Sequence, residues 1–210
     1  VLTLLWVVGF TNAFNFIDGL DGLSSGIATI SALSLLAVAL QFPDRGAALL
    51  LLAALAGSAL GFLRHNFNPA KIIMGDSGAY LLGYMLAAVS VLGALKVTAA
   101  VTVAAPVLIL GLPLLNLTQV TLRRLRRGAS PVLASTDHIH DLTRERSGSP
   151  RLTVMILWLA TLLLGMLGML LSSTPPLLMY LTVSATVLLI AAASLTRLLE
   201  VRLEEKLGRA

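Results

Sequence analysis

The chain has 210 residues, of which 57% are hydrophobic and 12% are charged. Soluble domains carry about 25% charged residues, so this composition excludes an ordinary soluble protein and indicates a membrane protein. The absence of cysteine excludes disulfide bonds and thiolate metal ligands. The net charge of +5 does not indicate nucleic-acid binding, because the basic residues are concentrated in particular loops.

Apolar windows of about 20 residues predict the membrane-spanning helices. Six full windows lie at 22–41, 47–63, 77–93, 97–118, 152–172 and 177–196. Residues 1–11 are expected to be the last part of a seventh helix. We therefore expect an all-α, polytopic integral membrane protein with a single domain over residues 1–210. Pro106, Gly111 and Pro113 interrupt one window, where we expect a packing kink in a continuous helix.

The basic residues between the windows predict the orientation. If residues 12–21, 64–76, 119–151 and 197–210 share one side, that side carries thirteen basic residues and the other carries two, Arg45 and Lys96. Cytoplasmic loops are enriched in Lys and Arg, so we expect the first side to be cytoplasmic and the protein to lie in the cell membrane. The tail from Arg197 to Ala210 is expected to be an amphipathic helical end near anionic headgroups.

A row of polar side chains follows the first apolar stretch, with Asn12, Asn15, Asp18 and Asp21 at every third position. On an α-helix this spacing keeps neighbours close together on a slowly spiralling face. Ionisable groups between apolar helices are costly, so they indicate a functional site; a polar helix end at the membrane surface is the alternative. Carboxylate and amide oxygens suit Mg²⁺, or Mn²⁺ in its place, but the row leaves open which residue binds metal and which binds substrate.

A second polar segment covers residues 64–78 and contains Asn68 and Asp76. Asp76 or Ser77 can cap the helix that follows, and a helix N-terminus with small residues also binds anions. Helix capping and metal binding are compatible, so both stay open for Asp76. The string Gly-Asp-Ser-Gly also surrounds the nucleophile of some serine proteases, but this chain cannot form their soluble β-barrel and lacks suitably spaced partners.

The third polar segment reads Asp137-His-Ile-His-Asp141 and is followed by Arg144. His138 and His140 share a face in a strand or an extended loop, but not on a helix. Two imidazoles with nearby arginines are suited to binding a diphosphate. A zinc site is the rival interpretation, which two histidines without cysteine support poorly.

In this order and spacing, the three segments resemble the polyprenyl-phosphate N-acetylhexosamine-1-phosphate transferases. The matching strings are Asn-Ala-Phe-Asn-Phe-Ile-Asp-Gly-Leu-Asp-Gly-Leu, Asn-Pro-Ala-Lys-Ile-Ile-Met-Gly-Asp-Ser-Gly and Asp-His-Ile-His. The resemblance covers essentially the whole chain and is closer to the WecA/TagO branch than to MraY, because the loop lacks a run of histidines. It implies Mg²⁺-dependent transfer of N-acetylglucosamine-1-phosphate from UDP-N-acetylglucosamine to a polyprenyl phosphate, which releases UMP.

The resemblance also implies roles for individual residues. Asp76 and Asn15 would hold the metal ion, Asp21 would help to bind the nucleoside, and Asp18 would belong to the same polar site. The expected catalytic residues are Asp18, Asp21 and Asp76, and the expected substrate-binding residues are Asn12, Asp21, Asn68, His138, His140 and Arg144. The expected partners are a UDP-N-acetylhexosamine, a polyprenyl phosphate, the membrane and a second copy in a homodimer, but not nucleic acid.

The sequence departs from the family pattern at three points. The acidic Asp-Asp-x-x-Asp motif of the N-terminal half is absent, and the chain begins Val-Leu-Thr-Leu-Leu-Trp. We therefore expect an N-terminal part to be missing and this fragment alone to be inactive. Ile73 stands where the family commonly has a Phe that can stack on uracil, and Asp141 stands where a further His is frequent.

Two other classes of protein remain as alternatives. A transporter or channel with an acidic cation site would place its carboxylates near the middle of the membrane, at broken helices or between repeats. Convergence of Asn15, Asp18, Asp21 and Asp76 in a cleft at one membrane face would favour the transferase, whereas a path through the membrane would favour the transporter. A scaffold without catalytic activity is the third hypothesis.

Overall fold

The computed structural model describes residues 1–94, 100–128 and 138–207. Within these ranges the chain forms nine α-helices and no strand. They are α1 (Leu2–Ile17), α2 (Leu23–Ala39), α3 (Gly46–Asn66), α4 (Gly75–Ala94), α5 (Ala100–Ile109), α6 (Gly111–Arg126), α7 (Ile139–Ser147), α8 (Pro150–Leu171) and α9 (Pro176–Lys206).

Four of these helices are long and apolar enough to span a membrane: α3, α4 over Gly75–Leu92, α8 and α9. Helices α1 and α2 are apolar but shorter. The expected all-α fold of a multi-pass membrane protein is confirmed. The windows at 22–41, 47–63, 77–93, 152–172 and 177–196 correspond to α2, α3, α4, α8 and α9, respectively.

The window at 97–118 does not form the continuous, kinked helix that we expected. Helix α5 ends at Ile109, α6 begins at Gly111, and Leu110 between them has φ −95° and ψ 14°. Pro113 lies in the first turn of α6, where a backbone N–H has no intrahelical partner and its absence costs little. Helix α6 then continues past residue 118 to Arg126. Residues 97–99 of this window lie outside the described ranges.

The polar row also differs from the expectation of one spiralling helical face. Helix α1 carries Asn12 and Asn15 in its last turns, but Asp18 is its C-cap and Gly22, with φ 82°, precedes α2. A left-handed backbone conformation is cheap only for glycine. The row is therefore divided between the end of α1 and the turn formed by residues 18–22.

Helix α2 is the centre of the bundle and is buried along most of its length. It packs chiefly against α3 and α8, while α1 packs against α4 and α6. Gly26 lets α8 approach closely, because a Cβ atom there would lie 2.0 Å from Nε1 of Trp158. Helices in lipid gain stability mainly from such close packing, since lipid tails are as apolar as the side chains.

The connections place the three polar segments at the same end of the bundle. Helices α1 and α3 end there, α2, α4 and α8 begin there, and the last turns of α9 pack against the end of α3. At the opposite end, Gln41 Nε2 donates a hydrogen bond of 2.8 Å to Thr174 Oγ1. All chemistry considered below therefore lies at one end, which we call the polar end.

Candidate active site at the polar end of the bundle

Asn15 and Asp76 come together from different helices. Asn15 lies in the last turn of α1 and Asp76 in the first turn of α4. The Nδ2 atom of Asn15 donates a hydrogen bond of 2.9 Å to Oδ1 of Asp76. The close packing of α1 against α4, in which a Cβ at Gly83 would lie 2.7 Å from the carbonyl oxygen of Phe10, brings these two helices together.

Asp18 lies beside this pair in the turn between α1 and α2. Ser24, in the first turn of α2, donates a hydrogen bond of 2.5 Å to Oδ1 of Asp18. Burial raises the pKa of the Asp18 carboxyl above its usual range; the Ser24 hydrogen bond opposes this shift, and the negative charges of Asp76 and Asp21 add to it. The negative charges of Asp76 and Asp21 repel that of Asp18, and such repulsion favours a cation at this place.

The donor atoms present fit Mg²⁺. In the described ranges, no cluster of three or more His, Cys, Asp or Glu side chains has the arrangement of a metal site. Such a cage is not needed for Mg²⁺, which keeps several waters and takes one or two carboxylates together with substrate phosphates. Asp76 Oδ2 makes no hydrogen bond to the described part of the chain, so this hard oxygen is available beside the Asn15 amide.

Asp21 is fixed by the loop that follows α3. Its Oδ2 atom accepts a hydrogen bond of 3.0 Å from Nδ2 of Asn68 and one of 3.1 Å from the backbone N–H of Ala70. The Oδ1 atom of Asn68 accepts in turn from Nε of Arg151, at 3.2 Å. The amide nitrogen and the amide oxygen of Asn68 therefore both bind other residues of the protein. In this structure Asn68 holds Asp21.

His138 and His140 share a face, as the sequence predicted, although they lie at a helix start rather than in a strand. His138 has an extended backbone and is the N-cap of α7, and His140 lies in its first turn. The two rings stack with centroids 5.1 Å apart and an angle of 8° between their planes. The extended N-cap is what allows side chains at i and i+2 to point in the same direction.

The His140 imidazole is buried and neutral. Burial lowers its pKa to about 4; the carboxylate of Asp141 opposes this shift, and the charges of His138 and Arg144 add to it. Its Nδ1 atom is buried and has no hydrogen-bond partner in the described part of the chain. At neutral pH this ring can therefore serve a ligand as a hydrogen-bond donor or acceptor, but not as a cation.

The turn formed by residues 18–22 joins all three polar segments. Asp18 faces the Asn15–Asp76 pair, and Asp21 binds the loop after α3. Between them, Gly19 packs against His140 so closely that a Cβ atom would lie 2.1 Å from Nε2 of the imidazole. Asn15, Asp18, Asp21 and Asp76 thus lie together at one end of the bundle, and the turn also brings His140 to them.

Some expected residues do not join this centre. The Nδ2 atom of Asn12 donates to the backbone oxygen of Val8, at 2.8 Å, so its amide binds the preceding turn of its own helix. Arg144 is exposed on α7 and reaches the site through its charge on His140. Ile73 is 81% exposed and offers no aromatic face. Asp137, Lys96 and Arg209 lie outside the described residues.

Several contributing residues were missed in the sequence. Asn116, fully buried in α6, accepts a hydrogen bond of 2.9 Å from the N–H of Ile139 and so fixes the start of α7. Asn66 accepts from the N–H of Gly22, at 3.0 Å, and holds the turn between α1 and α2. Phe16 contacts the His138 ring edge-on, with centroids 5.7 Å apart. An Asn inside the apolar window at 97–118, as at position 116, is the signal that was available.

Comparison with known proteins identifies relatives of this chain. Residues 1–94 match the family model described as glycosyl transferase family 4. The chain is 39% identical over 158 residues to a probable undecaprenyl-phosphate N-acetylglucosaminyl 1-phosphate transferase of Bacillus subtilis strain 168. This alignment covers 75% of the chain and 44% of the relative. It is 36% identical over 177 residues to a decaprenyl-phosphate N-acetylglucosaminephosphotransferase of Mycobacterium leprae, with 76% and 44% covered.

A phospho-N-acetylmuramoyl-pentapeptide-transferase of Levilactobacillus brevis is 51% identical over 92 residues, which is 44% of this chain and 28% of the relative. The chain thus spans less than half the length of these curated relatives. The N-acetylglucosamine-1-phosphate transferases align over the larger share of the chain, in agreement with the expected branch. Residues 1–94 therefore match glycosyl transferase family 4, and the resemblance of this chain to the polyprenyl-phosphate N-acetylhexosamine-1-phosphate transferases is confirmed.

Proposed function

We propose that this protein transfers N-acetylglucosamine-1-phosphate from UDP-N-acetylglucosamine to a polyprenyl phosphate. An oxygen of the lipid phosphate forms a bond to the β-phosphorus of the nucleotide sugar, the bond from that phosphorus to the bridging oxygen breaks, and UMP leaves. The product is polyprenyl-diphospho-N-acetylglucosamine, the first lipid intermediate of a cell-envelope glycan. The contact between Asn15 and Asp76 beside Asp18 is the observation that carries the proposal.

Phosphoryl transfer requires of a protein mainly positioning and charge neutralisation. Asn15 and Asp76 would hold Mg²⁺, or Mn²⁺ in its place, and the bound ion would neutralise charge on the diphosphate. Asp18 maintains the negative potential that favours a cation between α1 and α4. Asp21, held through Oδ2, would offer its other oxygen to hydroxyl groups of the nucleoside.

The His-x-His segment lies beside the same turn and suits the phosphates. Because the His140 ring is neutral at pH 7, it would bind a phosphate oxygen through an N–H rather than through a full positive charge. The exposed guanidinium of Arg144 would supply that charge from the next turn of α7. These groups complete a site with a cation on one side of the diphosphate and hydrogen-bond donors on the other.

The arrangement favours this proposal over a transporter. A transporter holds its cation near the middle of the membrane, whereas Asp18, Asp21 and Asp76 lie at helix ends. The basic residues of the described chain are concentrated at the same end, which supports a cytoplasmic active site in the cell membrane. The proposal also includes N-acetylglucosamine as the sugar of the UDP donor, and a homodimer as the assembly.

The test is release of UMP by the full-length protein in detergent, supplied with UDP-N-acetylglucosamine, polyprenyl phosphate and Mg²⁺. We expect UMP release that needs both the lipid and the metal and that falls at least about 100-fold in Asp76→Asn, because a metal ligand is lost. Glu205→Gln, an exposed position on α9, is the matched control and should behave as wild type.

Full activity of Asp76→Asn would retain the reaction but exclude Asp76 as a metal ligand. If well-folded wild-type protein releases no UMP from any UDP-N-acetylhexosamine, the transferase proposal is wrong. Cation flux into protein-containing vesicles would then favour the transporter.

A further inference from the structure

The last turns of α9 contact the loop that carries Asn68. Arg197, Glu200 and Glu204, which we call the C-terminal ion-pair cluster, lie on one face of the helix at i, i+3 and i+7. Glu200 Oε1 lies 2.6 Å from Arg64 NH2, and Glu204 Oε1 lies 2.6 Å from Lys71 Nζ. The tail thus makes specific ion pairs with both ends of residues 64–71, rather than only the headgroup contacts that the sequence suggested.

Arg197 is the buried member of this cluster, with 4% of its surface exposed. Its Nε atom donates a hydrogen bond of 3.0 Å to the backbone oxygen of Pro69, and its NH1 atom lies 3.8 Å from both Glu200 and Glu204. Burying a guanidinium costs several kcal/mol unless partners compensate. Within the described part of the chain, the side chain of Arg197 makes one hydrogen bond, and its acceptor belongs to the loop.

Asn68 and Ala70 both donate a hydrogen bond to Oδ2 of Asp21, and Pro69 lies between them in the chain. Arg151, at the start of α8, holds the same loop from another direction. Its Nε atom lies 3.1 Å from the backbone oxygen of Asn68 and 3.2 Å from its Oδ1. Two arginines from two helices therefore bind the backbone oxygens of Asn68 and Pro69, which lie between the two groups that donate to Asp21.

We propose that Arg197 and Arg151 are positioning residues that orient Asp21 through the loop Asn68–Pro69–Ala70. The inference rests on the proposed function, in which Asp21 binds the nucleoside of the sugar donor. Exposed ion pairs such as Arg64–Glu200 contribute at most about 1 kcal/mol to stability, so they alone give the cluster little structural value. What the cluster fixes is the direction of the hydrogen bonds that Asp21 receives.

The test compares the Michaelis constants for the two substrates in the full-length protein. In Arg197→Met we expect the KM for UDP-N-acetylglucosamine to rise about tenfold, as for a lost hydrogen bond from a charged donor, while the KM for polyprenyl phosphate and kcat stay within about twofold. Arg197→Lys should restore part of the donor affinity, since an ammonium group can also reach a carbonyl oxygen. Arg202→Met, exposed on the same helix, is the matched control and should not change either constant.

If Arg197→Met does not fold, because Arg197 is buried, Arg151→Met still tests the inference, because Arg151 is exposed. It should raise the same donor KM, and the melting temperature in detergent should stay within about 2 °C of wild type. An unchanged donor KM in both variants, or a parallel change in both KM values and the melting temperature, would overturn the inference. An inactive wild type would instead overturn the proposed function, and this inference with it.

Discussion

Gly19 determines how closely the His-x-His segment approaches the aspartates. A Cβ atom there would lie 2.1 Å from Nε2, 2.6 Å from Cε1 and 2.9 Å from Cδ2 of His140. Real Cβ atoms are not found that near another heavy atom, so any larger residue would displace the imidazole. The neighbours of this glycine in the chain include Asp18, so a displaced ring also changes the surroundings of the carboxylates.

We expect Gly19→Ala to lower UMP release at least about tenfold, because the added methyl group displaces His140 and misplacing a group by about 1 Å costs up to 100-fold in rate. The measurement is kcat under saturating substrates, together with the melting temperature in detergent. Gly9→Ala in α1, the helix that precedes the turn, is the control, since nothing lies within 4 Å of its Cβ position. Wild-type activity in Gly19→Ala would show that the packing of His140 on this turn is irrelevant to catalysis.

At the scale of the elements, α2 organises the bundle through small and hydroxylated residues. Gly26 admits the Trp158 indole, whose Nε1 donates a hydrogen bond of 3.4 Å to the backbone oxygen of Leu23. Ser31 Oγ donates to the backbone oxygen of Ile109, 3.2 Å away at the end of α5. The broken helix is thus tied to α2 at its break, where a carbonyl group has lost its intrahelical partner.

Gly26→Ala should destabilise the protein by about 1–3 kcal/mol, because the added methyl group overlaps with Trp158 in a fully packed interface. Gly57→Ala in α3 is the opposite case: its Cβ position is open, and alanine is about 1 kcal/mol better than glycine in a helix. The two melting temperatures in detergent should therefore move in opposite directions from wild type. Equal values for both variants would contradict the close packing of α2 on α8.

At the scale of the whole molecule, charge and chemistry coincide at one end of the bundle. The aspartates, the histidines and nearly all the basic residues of the described chain lie there, whereas Arg45 lies at the opposite end beside the Phe42 ring. Basic residues remain on the cytoplasmic side during insertion. The distribution therefore predicts the orientation and, for the proposed reaction, the side from which the nucleotide sugar would enter.

Single cysteines test this orientation, because the 210-residue chain has none of its own. We expect Pro43→Cys, exposed between α2 and α3, to react with a membrane-impermeant maleimide in intact spheroplasts. Arg146→Cys, exposed on α7, should react only after the membrane is opened. The protein without either substitution provides the background, and the reverse labelling pattern would place the site outside the cell.

The sequence by itself determined the class of protein, the number and approximate position of most helices, and the family. The length of apolar segments, the charge of the loops and the three motifs are local properties of the sequence. Each can be recognised without knowing the fold. It also brought forward Asn15, Asp18, Asp21, Asp76, His138 and His140, because polar residues between apolar helices are conspicuous. It failed where a helix ends, since the i, i+3 spacing of the polar row is helical while the backbone after Ile17 is not.

Only the tertiary structure decided which of these residues meet. The Asn15–Asp76 hydrogen bond joins positions 61 apart in the chain, and the Arg197–Pro69 bond joins positions 128 apart. Such contacts depend on how helices pack, which in lipid is set by close fits such as Gly26 on Trp158 rather than by hydrophobicity. The roles of Asn116 and Arg197 were not predicted for that reason. Each role depends on a hydrogen bond to a residue distant in the chain, and the spacing of residues within α6 or α9 does not indicate that partner.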